Sequence, residues 1–142
     1  MIPVMDHDAL RLFLEDEFAQ VAQDFRIEAV TPEGIILRLK VAEGHLRPGG
    51  TVSGPTLFAL ADVAVYLAIL SRIGPVALAV TTNASIDFLR KPPAGRDLLG
   101  EVRLLKLGRT LAMGDVLIRS DGLDDPVARA SMTYSIPPKG QV

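Results

Sequence analysis

The sequence predicts an α+β domain in which one antiparallel sheet wraps around a single long helix. Three observations carry that expectation. Residues 57–70 are apolar at every position except Asp62, so the segment is a helix that is apolar nearly all round and must be enclosed on most sides. Two strand-like runs precede it and four follow it, and in one of them, IILRLKV, Ile35, Leu37, Leu39 and Val41 alternate as in a half-buried strand. The separators between the later runs, KPPAGRD, GRT and DGLDDP, are short and rich in turn formers, as an antiparallel meander requires.

The elements follow in order. Residues 8–22 place Leu10, Phe13, Leu14 and Phe18 at helical spacing, with Asp8 as the expected cap, and predict a short amphipathic helix on an edge of the core. FRIEAV and IILRLKV, separated by TPEG, predict a hairpin in which Ile35, Leu37, Leu39 and Val41 face inward. After the Gly/Pro-rich loop AEGHLRPGG, the run Ser53, Gly54, Pro55 is a helix-start signal and Gly74-Pro75 a stop. VALAVTTNASIDFLR, LLGEVRLLKL, TLAMGDVLIR and VARASMTYSI are then expected to pair in sequence as four successive strands. Ala59, Ala61, Ala64 and Ala68 keep the long helix thin enough for the sheet to approach it closely.

Composition bounds the function. At 142 residues with 49% hydrophobic and 23% charged side chains the chain fits one globular domain spanning residues 1–142. Its mean hydropathy of +0.31 is high for a monomer and points to apolar surface spent on an interface between subunits. A net charge of −2 gives no basic field for nucleic acid. The absence of cysteine excludes disulfides, thiolate zinc sites and cysteine nucleophiles, and His7 and His45 are too few for a histidine-rich metal site. No cofactor is expected. The N-terminal residues carry no signal-like apolar run, and the stretch 57–70 is short and internally charged for a membrane span. The expectation is a cytoplasmic protein with no membrane partner.

Three segments carry a family resemblance: SGPTLFALAD at 53–62, VTTNASIDFLRKPPAGRD at 80–97 and KLGRTLA at 106–112. Taken in order they resemble the hot-dog fold acyl-CoA thioesterases of the phenylacetate-degradation (PaaI-like) group, over roughly residues 25–136. The resemblance implies hydrolysis of a medium-chain or aryl acyl-CoA to the free acid and CoA. It implies Asp62 as the acid that attacks the thioester carbonyl or activates a water, Gly54 as the residue whose backbone N–H polarises that carbonyl, and Thr81 as a strand hydroxyl that orients the nucleophile or water. The chain departs from the family where Ser53 stands for a histidine, Pro55 for a second glycine and Arg47 for an upstream asparagine, which removes two polar contacts near the substrate carbonyl.

The physical chemistry stands beside the resemblance. A thioester has a good leaving group, so its hydrolysis needs mainly a positioned base or nucleophile and donors aimed at the developing oxyanion. A helix N-terminus supplies such donors, and glycine lets a substrate come close. Eight residues separate Gly54 from Asp62, about 12 Å along a helix. One carbonyl cannot touch both from the same helix, so the site combines two subunits and the enzyme is expected to be at least a homodimer, with a homotetramer built on it.

Other positions admit two readings each. Ser53 and Pro55 form a helix cap and also border the expected carbonyl site, whereas GTVSGP is no nucleophile elbow. His45 and Arg47 sit in the loop before the helix, solvated or beside substrate. Phe58 and Tyr66 line an acyl pocket or belong to the core. Thr82 and Asn83 share the site with Thr81 or satisfy themselves on an edge strand. Among the loop cations Arg90, Lys91, Arg96, Lys106 and Arg109, one or two are expected to hold the CoA nucleotide, Arg90 and Arg109 foremost. Rival functions are a non-catalytic acyl-CoA-binding or sensing protein and an acyl thioester hydratase or dehydratase, which would need a histidine–acid pair that His45 alone does not supply.

Overall fold

The computed structural model describes residues 2–138 and consists of one six-stranded antiparallel sheet curled around a 20-residue helix, with a helical N-terminal segment laid against one edge. The elements are α1 (His7–Glu17), α2 (Ala19–Ala22), β1 (Phe25–Val30), β2 (Ile35–Leu39), α3 (Gly54–Ile73), β3 (Val80–Phe88), β4 (Leu98–Leu107), β5 (Leu111–Ser120) and β6 (Pro126–Ser135), with a 3₁₀ turn at Glu43–His45. This is the hot-dog arrangement expected from the sequence.

The central helix forms for the reasons legible in its sequence. Ser53 is extended and its Oγ accepts the Thr56 N–H at 3.3 Å, while Pro55 sits in the first turn, where a missing N–H costs nothing. Gly74, at φ +98, ends the helix in a conformation that disfavours any side chain. Leu60, Ala64, Leu67, Ala68 and Leu70 are fully enclosed. α3 runs longer than the apolar stretch 57–70, because its first and last turns extend it to Gly54–Ile73. That corrects the expectation that the segment is too short for a membrane span: by length and composition it is long enough, and 67% of its most apolar window is buried within the protein.

The N-terminal segment differs from the expected single helix. Asp6, not Asp8, is the cap, its carboxylate accepting the Ala9 N–H at 2.9 Å. Asp8 lies in the first turn, where its charge meets the positive end of the helix. Phe18 breaks the helix at φ −129, ψ 45 and turns its ring edge-on to Tyr66 at 5.5 Å.

The strand order is β1-β2-β4-β5-β6-β3. The hairpin β1–β2 is as expected, with Phe25 opposite Leu39 and Val30 opposite Ile35. The four later strands do not form one meander. Only β4, β5 and β6 do; β3 pairs with β6 at the far edge, and residues 89–97 carry the chain back across to β4, which joins β2. That nine-residue link is too long for a tight turn, so adjacency in sequence does not impose adjacency in the sheet. Arg38, on β2, secures it: the guanidinium bonds Glu28 on β1, Asp97 at 3.1 Å and Asp121 at 2.8 Å.

Candidate active site

The entry to α3 leaves one donor unspent. The His45 carbonyl accepts the Ser53 N–H at 2.9 Å, the Ser53 Oγ and carbonyl accept the N–H groups of Thr56 and Leu57, and Pro55 has none to offer. Gly54 N–H is thus the first-turn donor with no acceptor among the described residues. A side chain at Gly54 would bring its Cβ to 3.3 Å from the Phe88 ring, so glycine keeps this N–H approachable between helix and strand.

Gly54, Phe58 and Asp62 recur every fourth residue and lie along one stripe of α3. The stripe faces β3. Phe58 is 37% exposed and Phe88 57%, which is unusual for aromatic rings beside a core. Asp62 is half-buried, and its Oδ1 accepts two hydroxyl protons, from Thr81 Oγ1 at 2.6 Å and from the Tyr134 hydroxyl at 2.7 Å. Tyr134 also stands 3.0 Å from the Asp62 carbonyl oxygen. No group among the described residues bonds Oδ2.

A bulge makes this possible. Thr81 pairs with Tyr134 and Asn83 with Thr133, leaving Thr82 as the extra residue. In an unbroken ladder the alternation would turn Thr82 toward the helix and Thr81 away from it; the inserted residue reverses that phase. Thr82 instead hydrogen-bonds the Thr133 carbonyl at 3.4 Å, and Asn83 falls on the outer face with Ser85 and Asp87. Neither meets Asp62.

Tyr134 was not among the residues singled out from sequence. Its position in the alternating run VARASMTYSI marks it as inward-facing, and the unused signal was that a buried phenol needs a partner for its hydroxyl. It is 3% exposed. Burial first, and the Asp62 charge second, push its ionisation well above the usual phenol range, so it is a neutral donor.

The remaining candidates divide by place. Arg47 and Arg90 border a groove of about 430 Å³ with Gly54, Phe88 and Lys91 at the α3 N-terminus. Arg90 also bonds the Pro126 carbonyl. Ser53 and Pro55 are adjacent to this groove through Gly54. The His45 side chain turns elsewhere: Nδ1 accepts the Ala42 N–H at 2.9 Å and Nε2 lies 3.6 Å from Asp24. Tyr66 belongs to an aromatic cluster behind Asp62, its ring 5.8 Å from Tyr134 and its hydroxyl donating to the Ala77 carbonyl at 3.0 Å. Arg109 is in the β4–β5 turn, by the start of β3, a strand length away from Gly54. A second cavity of about 450 Å³, lined by His7, Arg11, Glu15 and Lys40, lies between α1 and β1 at the opposite edge of the sheet.

The chain and its fold have parallels among known proteins. The sequence signature of the Thioesterase superfamily matches residues 49–127, and the chain belongs to that family. A candidate thioesterase of Silicibacter sp. TM1040 is 61% identical, with a TM-score of 0.90 over 96% of this chain and 94% of its own. The phenylacetic acid degradation protein PaaI of Thermus thermophilus, solved as a point mutant, is 27% identical with a TM-score of 0.70 over 89% and 99% of the two chains. Acyl-coenzyme A thioesterase 13 of Mus musculus is 26% identical over 74% of each chain. A thioesterase-like protein of Streptococcus pneumoniae, solved with coenzyme A, shares the fold at a TM-score of 0.74 and 23% identity, over 87% of this chain and 96% of its own.

Proposed function

We propose that this protein hydrolyses a medium-chain or aryl acyl-CoA to the free acid and CoA, in a site formed where two copies meet. The observation that carries the reading is the stripe of α3 on which an unspent backbone donor, Gly54, and an oriented carboxylate, Asp62, stand two turns apart. Their separation of eight residues is about 12 Å along the helix. The acid of one copy therefore acts on a carbonyl held by Gly54 of the other.

The open side of β3 is suited to that pairing. Among the described residues β3 is an edge strand, with no strand paired to its free side. Val80, Phe88, Leu89 and the neighbouring Leu78 are 45–61% exposed. Antiparallel pairing of two β3 strands would cover this apolar surface and set the start of one strand beside the end of the other, bringing Thr81 and Asp62 of one copy toward Gly54 and Phe88 of its partner. A tetramer is a pair of such dimers.

In the reaction, the thioester oxygen accepts the Gly54 N–H at the positive end of α3. Acting as a base, Asp62 takes a proton from water while the water oxygen bonds to the carbonyl carbon; the C–S bond then breaks and the proton goes to the CoA sulfur. Acting as a nucleophile, Asp62 bonds the carbon itself, the thiolate leaves to be protonated by solvent, and water cleaves the resulting anhydride. Arg47, Arg90 and Lys91 flank the groove at Gly54 and are suited to the CoA phosphates. The names of the mouse and streptococcal relatives, one an acyl-coenzyme A thioesterase and the other solved with coenzyme A, support the substrate class.

The experiment is thiol release from acetyl, medium-chain, long-chain and phenylacetyl-CoA by the wild type and by Asp62→Asn. The expected result is turnover of medium-chain or aryl substrates that falls at least 100-fold in the variant while acyl-CoA binding persists. Binding without turnover in the wild type would replace the enzyme with an acyl-CoA sensor.

A further inference from the structure

We propose that Tyr134 is a positioning residue for Asp62: together with Thr81 it saturates Oδ1 and leaves Oδ2 as the oxygen that engages the substrate carbonyl or its attacking water. This deepens the thioesterase reading and rests on it.

The bonding inventory of the carboxylate leads there. Oδ1 receives hydroxyl donors from two different strands, Thr81 on β3 and Tyr134 on β6, at 2.6 and 2.7 Å. A carboxylate oxygen that accepts two such donors has no room for a proton of its own, so any proton Asp62 gains resides on Oδ2. No described group reaches Oδ2. The acid is thus divided into a held oxygen and a free one, and the proton taken from water and returned to sulfur passes through the free one.

Tyr134 contributes more than a second donor. Its hydroxyl also lies 3.0 Å from the Asp62 carbonyl, so its single proton, given mainly to Oδ1, is shared with the main chain of the same residue, and the bond to Oδ1 holds the side chain in one rotamer. The ring is in turn immobilised. It is 3% exposed and packs at 5.8 Å against Tyr66, which meets the Phe18 ring at 5.5 Å. Burial keeps the phenol neutral, hence a donor, throughout the pH range in which a thioesterase works. Tyr66 cannot substitute, because its own hydroxyl is committed to the Ala77 carbonyl. Among the described residues, the groups that hydrogen-bond the Asp62 carboxylate are Thr81 from β3 and Tyr134 from β6, of which Tyr134 is titratable.

The test is Tyr134→Phe, assayed for kcat, KM and pH dependence on the best acyl-CoA. The expected result is a 10- to 100-fold fall in kcat with KM within about twofold, and an acid limb of the kcat profile moved to higher pH, because a carboxylate that loses a donor is easier to protonate. A fluorinated tyrosine at 134, which keeps the ring and strengthens the donor, moves the acid limb the other way and serves if the phenylalanine variant does not fold. An unchanged kcat and pH profile in both variants, with Asp62→Asn inactive, overturns the role of Tyr134 alone. An active Asp62→Asn overturns the assignment of the acid and the role of Tyr134 with it.

Discussion

Thr81 Oγ1 stands 2.6 Å from Asp62 Oδ1 because the strand that carries it has one residue too many. The bulge at Thr82 decides which of two neighbouring threonines faces the helix. The two should differ sharply on substitution. Thr81→Val is expected to lower kcat about tenfold and to cost about 1 kcal/mol of stability, the usual value of one buried hydrogen bond. Thr81→Ser keeps the donor and most of the activity. Thr82→Val should stay within twofold of the wild type. Equal losses at 81 and 82 in steady-state assays would mean the bulge has no part in the site.

Gly54 separates stability from activity. Its backbone is helical, so alanine there carries no conformational penalty, and the nearest obstacle to a new Cβ is the rim of the exposed Phe88 ring at 3.3 Å. Gly54→Ala is expected to melt within a few degrees of the wild type and to lose more than tenfold in kcat/KM, since the methyl and the displaced ring crowd the donor. A variant with full activity would show that the carbonyl does not bind at this N–H.

The ion network around Arg38 gives a pH dependence of stability with a definite sign. Hydrogen bonding to the Arg38 guanidinium holds Glu28 below its ordinary value of 4.5. A group with a depressed folded-state pKa stabilises the fold fully above its unfolded value and loses that contribution as pH falls through the folded one. Denaturant midpoints of the wild type should therefore decline as pH drops below about 4.5. Arg38→Met should be less stable at neutral pH and decline less steeply over the same window. A parallel decline in both proteins would remove Arg38 as the cause.

Local features of the fold were legible in the sequence, and relations between distant segments were much less so. The start of α3 at Ser53 and its stop at Gly74 follow from neighbours within four residues, and the inward set Ile35, Leu37 and Leu39 follows from strict alternation. The pairing of β3 with β6 does not, because the 89–97 link permits several destinations. The cap of α1 moved by two residues, from Asp8 to Asp6, where helix ends are least constrained by pattern. At the site, Asp62 stands out as a lone charge in an apolar run and Thr81 as a hydroxyl in an apolar strand. Tyr134 lies 72 residues from Asp62, and no periodicity links them. Tyr66 shows the converse: helical spacing could not tell a pocket wall from the aromatic cluster that holds it.

The most direct test of a site shared between copies is complementation. Gly54→Ala and Asp62→Asn proteins, each expected to be nearly inactive alone, are mixed in equal amounts, dissociated and allowed to reassemble. Half of the reformed dimers would then be mixed, and each would carry one intact site, with Gly54 from one copy and Asp62 from the other. The account predicts recovery of about a quarter of the wild-type rate, one active site in four. No recovery, with mixed dimers demonstrated by mass spectrometry, would place Gly54 and Asp62 in the same site of one chain or outside the site altogether.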